Sequence, residues 1–228
     1  MSQIFKPGLK IGILGGGQLA RMLAINAHNM GAVPFILSPS ENDPAQQVVE
    51  KGFLGDPNSP LAVRTFADYV DLITFESEFI NCDTLALAVP QHKKKVFPSI
   101  QAIRTLQDRK TQKELLDKYK IPTSPWTTID TPDAALELWD KWKEQPFVIK
   151  KRRNGYDGYG TYIIKSKKDL TSFTQKHMSS PDSFIAEKFI SFKRELACLF
   201  SRNRHGEIMQ FPLVESLQKE ARCFWVKG

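Results

Sequence analysis

The sequence predicts an α/β protein: a parallel sheet flanked by helices over its first hundred or so residues, then a mixed α+β region. Three observations carry this. Short apolar runs alternate with segments of helical period up to Val96-Phe97, the pattern of a doubly wound sheet. A glycine turn, Gly15-Gly16-Gly17, joins the first apolar run to the first helical one. Beyond Leu106 the order changes to a polar helix, paired strands and a second glycine loop.

Each element follows in turn. Leu9 to Leu14 is a short apolar run that suits a buried parallel strand. Gln18 to Asn29 has helical period through Leu19, Met22, Leu23 and Ala27, and Gly31 closes it. Val33 to Leu37 is the second strand, stopped by Ser38-Pro39. Leu61 to Tyr69 reads as helix, Asp71 to Phe75 as strand, Asn81 to Val89 as helix. A boundary near Ser99 to Arg104 gives domains 1–103 and 104–228. The second half opens with a polar helix, Asp108 to Tyr119, and a Thr/Ser/Pro-rich stretch to Thr131. A helix from Asp133 to Lys143 carries Trp139 and Trp142, spaced to pack on one face. Strands are expected at Pro146–Lys150, Thr161–Lys165, Phe184–Ile190, Glu195–Phe200 and Ile208–Val214.

Composition narrows the function classes. The chain has 228 residues, 41% hydrophobic and 25% charged, enough to build an ordinary globular core. Its net charge of +7 permits an anionic partner without choosing one. Cys82, Cys198 and Cys223 form no C-x-x-C pair, so neither a zinc site nor a disulfide framework is expected. That usage suits a cytoplasmic protein. No signal pattern and no membrane-length apolar run occur. Basic residues are dense at Lys93–Lys95, read as a solvated turn, and at Lys150–Arg153. Tyr156 and Tyr159 lie near the second cluster, but no nucleic-acid module surrounds them. Neither a nucleic acid nor a membrane is expected as partner.

The first glycine turn fits G-x-G-x-x-A at Gly15 to Ala20. Such a turn can present backbone N–H groups and a helix N-terminus to an anion. A dinucleotide also needs an acid at the end of the second strand, where this chain has Leu37-Ser38-Pro39. Three readings stand at this point: a dinucleotide, a mononucleotide or sugar phosphate, or a close helix–strand turn with no ligand.

The second loop, "VIKKRRNGYDGYGTYIIK", lies between two strands, and G-x-x-x-x-G-K-[ST] is absent. A glycine hairpin of this kind can fold over phosphates, its backbone N–H groups forming an anion nest. Lys150, at the end of the entering strand, can set a point charge on them. The alternative is a solvated hairpin tip with a basic patch.

Six stretches in order now carry a resemblance: "GILGGGQLARM", "ITFESE", "FPSIQAIRTLQDRKTQKELLDKYKIPTSPW", "VIKKRRNGYDGYG", "FIAEKFISFKRELA" and "FPLVES". Through them nearly the whole chain resembles the N5-carboxyaminoimidazole ribonucleotide synthetases of the ATP-grasp superfamily. These are also called the ATPase subunit of phosphoribosylaminoimidazole carboxylase. The resemblance implies a Rossmann-like pre-ATP-grasp domain followed by an α+β ATP-grasp domain. It implies that ATP activates bicarbonate as carboxyphosphate. The amine of 5-aminoimidazole ribonucleotide is then carboxylated, leaving ADP and phosphate, a step of purine biosynthesis. It further implies Mg²⁺ and a homodimer.

Carried over position by position, the resemblance makes Arg109, Lys150 and the flap Gly155, Tyr156, Asp157, Gly158, Tyr159, Gly160 and Thr161 ATP-binding. Glu187, Lys188, Phe189 and Ile190 match the segment that holds adenine and ribose, and Glu195 a further nucleotide-binding acid. Gly16, Gly17, Gln18, Glu76, Tyr156 and Asp157 fall on the aminoimidazole side. No metal ligand is assigned, because the family's Mg²⁺-binding acids match positions beyond Gly228. The ATP-grasp domain is therefore expected to be incomplete and this chain alone inactive. Tyr159 stands where the family is usually basic, and Gln218 where it usually has histidine. These two keep open a related ATP-grasp ligase with another substrate, or a nucleotide-binding module without catalysis.

Overall fold

The computed structural model describes residues 6–90, 95–155, 158–178, 183–203, 205–219 and 222–228. The chain divides into two compact units, Met1–Asp108 and Arg109–Gly228.

The first unit is built on a parallel sheet. Its strands are β1 (Lys10–Leu14), β2 (Val33–Ser38), β3 (Gly52–Leu54) and β4 (Leu72–Phe75), in the order β3-β2-β1-β4. Both faces are covered. Ile13 and Ile36 pack with Ala20 and Ala24 of helix α1 (Gln18–Asn29). Leu14, Leu37 and Ile73 point the other way, onto Val63 and Phe66 of α2 (Pro60–Tyr69) and Leu85 of α3 (Cys82–Ala88). Two-sided burial explains why these strands read as unbroken apolar runs. Gly12 of β1 is a packing requirement, because a Cβ there would stand 2.6 Å from the Phe66 ring.

Strand order reverses at β1, between β2 and β4, and ligands of open α/β sheets sit outside the carboxyl ends of the strands at such a switch point. Leu14 is opposite Phe75. The residues that follow these two, Gly15 and Glu76, are therefore neighbours by register.

The second unit has a four-stranded antiparallel sheet in the order β5-β8-β6-β7, from β5 (Trp126–Ile129), β6 (Phe147–Lys151), β7 (Thr161–Ile164) and β8 (Phe184–Lys188). One face, with Ile129, Phe147, Ile149, Ile164, Phe184 and Ala186, packs on α6 (Pro132–Lys141) and α7 (Lys167–His177). Trp139 is buried there and Trp142 packs beside it, as their spacing suggests. By the two-residue period the opposite face receives Val148, Lys150, Ile185 and Glu187, and Val148 pairs directly with Glu187. The unit also holds a three-stranded sheet, β13-β12-β9, from β9 (Glu195–Ala197), β12 (Val214–Lys219) and β13 (Arg222–Lys227). A separate pair joins β10 (Phe200–Arg202) to β11 (Ile208–Gln210).

The structure departs from the sequence reading in several elements. Glu195–Phe200 is not one strand, because β9 pairs with β12 while β10 pairs with β11. Ile208–Val214 breaks likewise around Pro212, which has no N–H to donate. Strand Phe184–Ile190 ends at Lys188. The Thr/Ser/Pro stretch contains β5, and the sequence reading also does not place β3, α4 (Ile100–Leu106), α7, β12 beyond Val214, or β13. Ser99 caps α4 by accepting from the Ala102 N–H at 3.2 Å. The polar helix of the second unit, α5, spans Arg109–Lys118. Of the basic run at 93–95 only Lys95 lies within the described residues, and its ammonium donates to the Val70 carbonyl at 3.3 Å.

Candidate functional site

The glycine turn holds a carboxylate of the chain itself. Gly17, the N-cap of α1, has no side chain to cap the helix. Glu76, one residue past β4, supplies the cap from across the switch point. Its Oε1 accepts from Gly17 N–H at 2.9 Å and its Oε2 from Ala20 N–H at 3.1 Å. Those are among the unsatisfied donors of a helix start, and a carboxylate suits the positive end of the helix dipole. The glycines make room for it. A Cβ on Gly15 would stand 2.4 Å from Glu76 Oε1, and one on Gly17 2.8 Å from Oε2. Gly16 is pressed instead by Asp43 and Ser38, each 2.6 Å from its would-be Cβ. Two of the N–H groups that a dinucleotide pyrophosphate would use are thus taken. Gln18 is exposed at the start of the helix.

In the second unit the sheet face opposite the core carries a buried charged cluster. Glu187 on β8 and Lys113 on α5 are both buried. Glu187 Oε2 accepts from Lys150 Nζ at 3.1 Å and from the Ser124 hydroxyl at 2.9 Å, and Lys113 Nζ lies 3.5 Å away. Lys113 also donates to Thr123 Oγ1 at 2.6 Å and Ser124 Oγ at 2.9 Å. Burial alone would push the Glu187 carboxyl up. The Lys150 charge, the Ser124 hydroxyl, the Lys150 hydrogen bond and the Lys113 charge outweigh it and hold the carboxyl below its ordinary value of 4.5. Two ammonium groups therefore share one carboxylate, and the cluster keeps a net positive charge.

This sets a pH dependence with a definite sign. A carboxyl lowered by folding adds stability above its ordinary value, and that stability is lost as pH falls through the folded value. Thermal midpoints of wild type and Glu187→Gln are expected to differ by a constant amount near neutrality and to converge below about pH 4.5. Curves that stay parallel into acid would refute the assignment.

The flap rises from the same strand. Lys150 is opposite Thr161, and Lys151 N–H donates to the Gly160 carbonyl at 2.7 Å. Gly158 and Gly160 have φ of +80° and +78°, a region that disfavours a side chain. The Arg109 guanidinium lies beside Gly155, 3.4 Å from the position of a Cβ there, and Arg109 N–H donates to the Arg152 carbonyl at 2.9 Å. Tyr159 is 69% exposed, so the flap does not bury its ring. Tyr156 and Asp157 lie outside the described residues.

A cation at a strand end beside a glycine hairpin suits phosphate binding, and comparison with known proteins gives the family. Residues 114–228 match the ATP-grasp domain. The chain belongs to the ATP-grasp family. Residues 9–107 match the ribonucleotide synthetase preATP-grasp domain. This ATP-grasp chain is 33% identical over 216 residues to N5-carboxyaminoimidazole ribonucleotide synthase of Synechocystis sp., across 95% of this chain and 53% of that protein. It superposes on Staphylococcus aureus N5-carboxyaminoimidazole synthetase complexed with ADP at a TM-score of 0.90 and 30% identity, covering 97% of this chain and 58% of that one. The Aspergillus clavatus synthase in complex with ADP and 5-aminoimidazole ribonucleotide gives 0.82 and 28%, covering 96% and 56%. The chain spans about half the length of the curated relatives it matches.

Within the ATP-grasp unit, the structure brings together Lys150, Glu187 and the near side of the flap with Arg109. Lys188, Phe189 and Ile190 follow Glu187 as exposed residues, with Lys188 N–H on the Pro125 carbonyl and Phe189 N–H on the Pro146 carbonyl. Glu195 sits on the three-stranded sheet, opposite Ser216 and outside the Glu187 hydrogen-bond network. Sequence reasoning missed Lys113, Thr123 and Ser124. Its available signal was a lysine four residues beyond Arg109, one helical turn on. Among the described residues no group of three or more His, Cys, Asp or Glu side chains is placed to hold a metal ion. These residues do not fit a Mg²⁺ site. Among them, too, no helix is long and apolar enough to cross a membrane.

Proposed function

We propose that this chain carries the ATP-anchoring part of an N5-carboxyaminoimidazole ribonucleotide synthase. The proposed reaction transfers the γ-phosphoryl group of ATP to bicarbonate. The amine of 5-aminoimidazole ribonucleotide then attacks the carboxyphosphate carbon, and phosphate leaves. The observation that carries this reading is the Lys150–Glu187–Lys113 cluster, positive by one charge and set beside the glycine flap. Phosphoryl transfer relies on positioning and charge stabilisation, and a partly buried ammonium with backbone donors supplies both.

In this reading Lys150, Arg109 and the flap from Gly155 to Thr161 take the phosphates. The segment Glu187, Lys188, Phe189 and Ile190 holds the adenine and ribose, and Glu195 is a further nucleotide-binding acid. Gly16, Gly17, Gln18 and Glu76, with Tyr156 and Asp157, fall to the aminoimidazole ribonucleotide. Glu76 enters that role fixed by two backbone donors, as a hydrogen-bond acceptor for the substrate. Domains 1–103 and 104–228, from the element pattern, a cytoplasmic location, from the cysteine usage, and a homodimer, by family resemblance, belong to the same proposal.

Titration of the chain with ATP tests it. Lys150→Met is expected to weaken ATP by about tenfold or more, since a charge-assisted contact to phosphate is lost. Unchanged affinity in a folded variant would end the reading. A related ligase with a different substrate is favoured by uncharged Tyr159 and Gln218. ATP binding that is indifferent to 5-aminoimidazole ribonucleotide would select it.

A further inference from the structure

Three donors converge on one oxygen, Glu187 Oε2: Lys150 Nζ, Ser124 Oγ and, slightly further, Lys113 Nζ. The two lysines are not equivalent. Lys113 is the more deeply buried, its side chain 11% exposed against 26% for Lys150. All three hydrogens of its ammonium have a place to go: Thr123, Ser124 and Glu187. Those partners belong to the 123–124 segment and β8, so the ammonium is held from two directions. Among the described residues Lys150 Nζ has a single hydrogen-bond partner, Glu187. It therefore has donors to spare.

We propose that Lys113 is a positioning residue that keeps the Glu187 carboxylate neutralised so that Lys150 can serve a nucleotide phosphate. This rests on the nucleotide reading above. A carboxylate this buried strongly resists losing its last cation. With Lys113 in place, Lys150 can turn from Glu187 to a phosphate and Glu187 stays paired. Without Lys113, Lys150 becomes the only counter-charge and the phosphates must compete with Glu187 for it. Lys113 itself touches no ligand in this scheme. Its hydrogen bonds to Thr123 and Ser124 set its place, and its charge does the work.

The test uses the whole chain, ATP titration calorimetry, and circular dichroism to confirm folding. Lys113→Gln can keep hydrogen bonds to the two hydroxyls while dropping the charge. It is expected to weaken ATP by about tenfold, as far as Lys150→Met does. Adding Glu187→Gln removes the competing charge, and the double variant is expected to return to within about threefold of wild type. A purely structural role for Lys113 would show as lost folding, so a Lys113→Gln chain that keeps its circular dichroism and thermal midpoint while ATP weakens separates positioning from structure. If Lys113→Gln does not fold, the double variant, which buries no unpaired carboxylate, decides alone. Failure of a folded double variant to recover affinity overturns the proposal, as does an unaltered Lys113→Gln. The control separates two failures. Loss of ATP in Lys150→Met but not in Lys113→Gln overturns this inference only. No loss in Lys150→Met, or no binding by wild type, overturns the nucleotide reading and this inference with it.

Discussion

Replacing Glu187 with alanine is expected to cost about 3–5 kcal/mol of folding stability, measured as the shift in urea unfolding free energy. The size follows from what remains behind. Lys113 and Lys150 converge on the same carboxylate oxygen at 3.5 Å and 3.1 Å. Removing it leaves two partly dehydrated ammonium groups with no counter-charge, and an uncompensated buried charge is much costlier than a missing ion pair. Ser124 loses its acceptor as well. Lys150→Met should cost less, because Glu187 keeps Lys113 and the more exposed lysine is the one removed. Glu187→Gln should fall between the two, since an amide can still accept from Ser124 but carries no charge. The ranking is as informative as the size. If Lys150→Met proved as damaging as Glu187→Ala, the two lysines would not be sharing the carboxylate.

The cluster also shows how far the sequence carries a reader. Lys150 was legible as a lysine closing a short apolar strand before a glycine loop, and Glu187 through the family motif that it shares. Lys113 was not. Lys110, Lys113 and Lys118 look alike on a polar helix, and only the fold, which brings Thr123, Ser124 and Glu187 around it, buries the middle one. Strand β5 was hidden for a different reason. Trp126 to Ile129 is four residues long and follows a Pro/Ser/Thr segment, so no period could be read, and its hydrogen bonds come from β8, some sixty residues away. Helix α7 did carry a local signal, Ser166-x-x-Asp169. Ser166 Oγ accepts from Asp169 N–H at 3.1 Å, and Asp169 accepts from Lys165 N–H at 3.1 Å. The parallel sheet was the easiest part, since burial on both faces writes itself into the sequence as continuous apolar runs. The partner of the first glycine turn was the hardest. A G-x-G-x-x-A turn is the same in sequence whether a ligand's phosphate or a distant carboxylate fills the helix start. Only the register of β1 with β4 shows that Glu76 does.

That register makes Gly15 the second position where a small change should have a large effect. Gly15→Ala is expected to destabilise the protein by about 2–4 kcal/mol, from two separable causes. One is the backbone: φ is +106° at Gly15, a conformation that L-residues with a Cβ rarely adopt. The other is contact, because the new methyl would stand 2.4 Å from Glu76 Oε1 and 2.7 Å from its Cγ. Gly8 supplies the comparison. Its φ is +82°, and nothing lies within 4 Å of a Cβ built there. Gly8→Ala therefore carries only the backbone cost, about 1–2 kcal/mol, and the excess at Gly15 measures the approach of Glu76. Glu76→Ala alone should cost about 1 kcal/mol through the lost cap on α1. In the Gly15→Ala background the same change removes the obstruction as well as the cap, so its cost should shrink or reverse. A coupling of about 1–3 kcal/mol is expected from the double-mutant cycle. Strict additivity of the two substitutions would mean that the carboxylate does not occupy the helix start. The glycine turn would then be open to a phosphate after all.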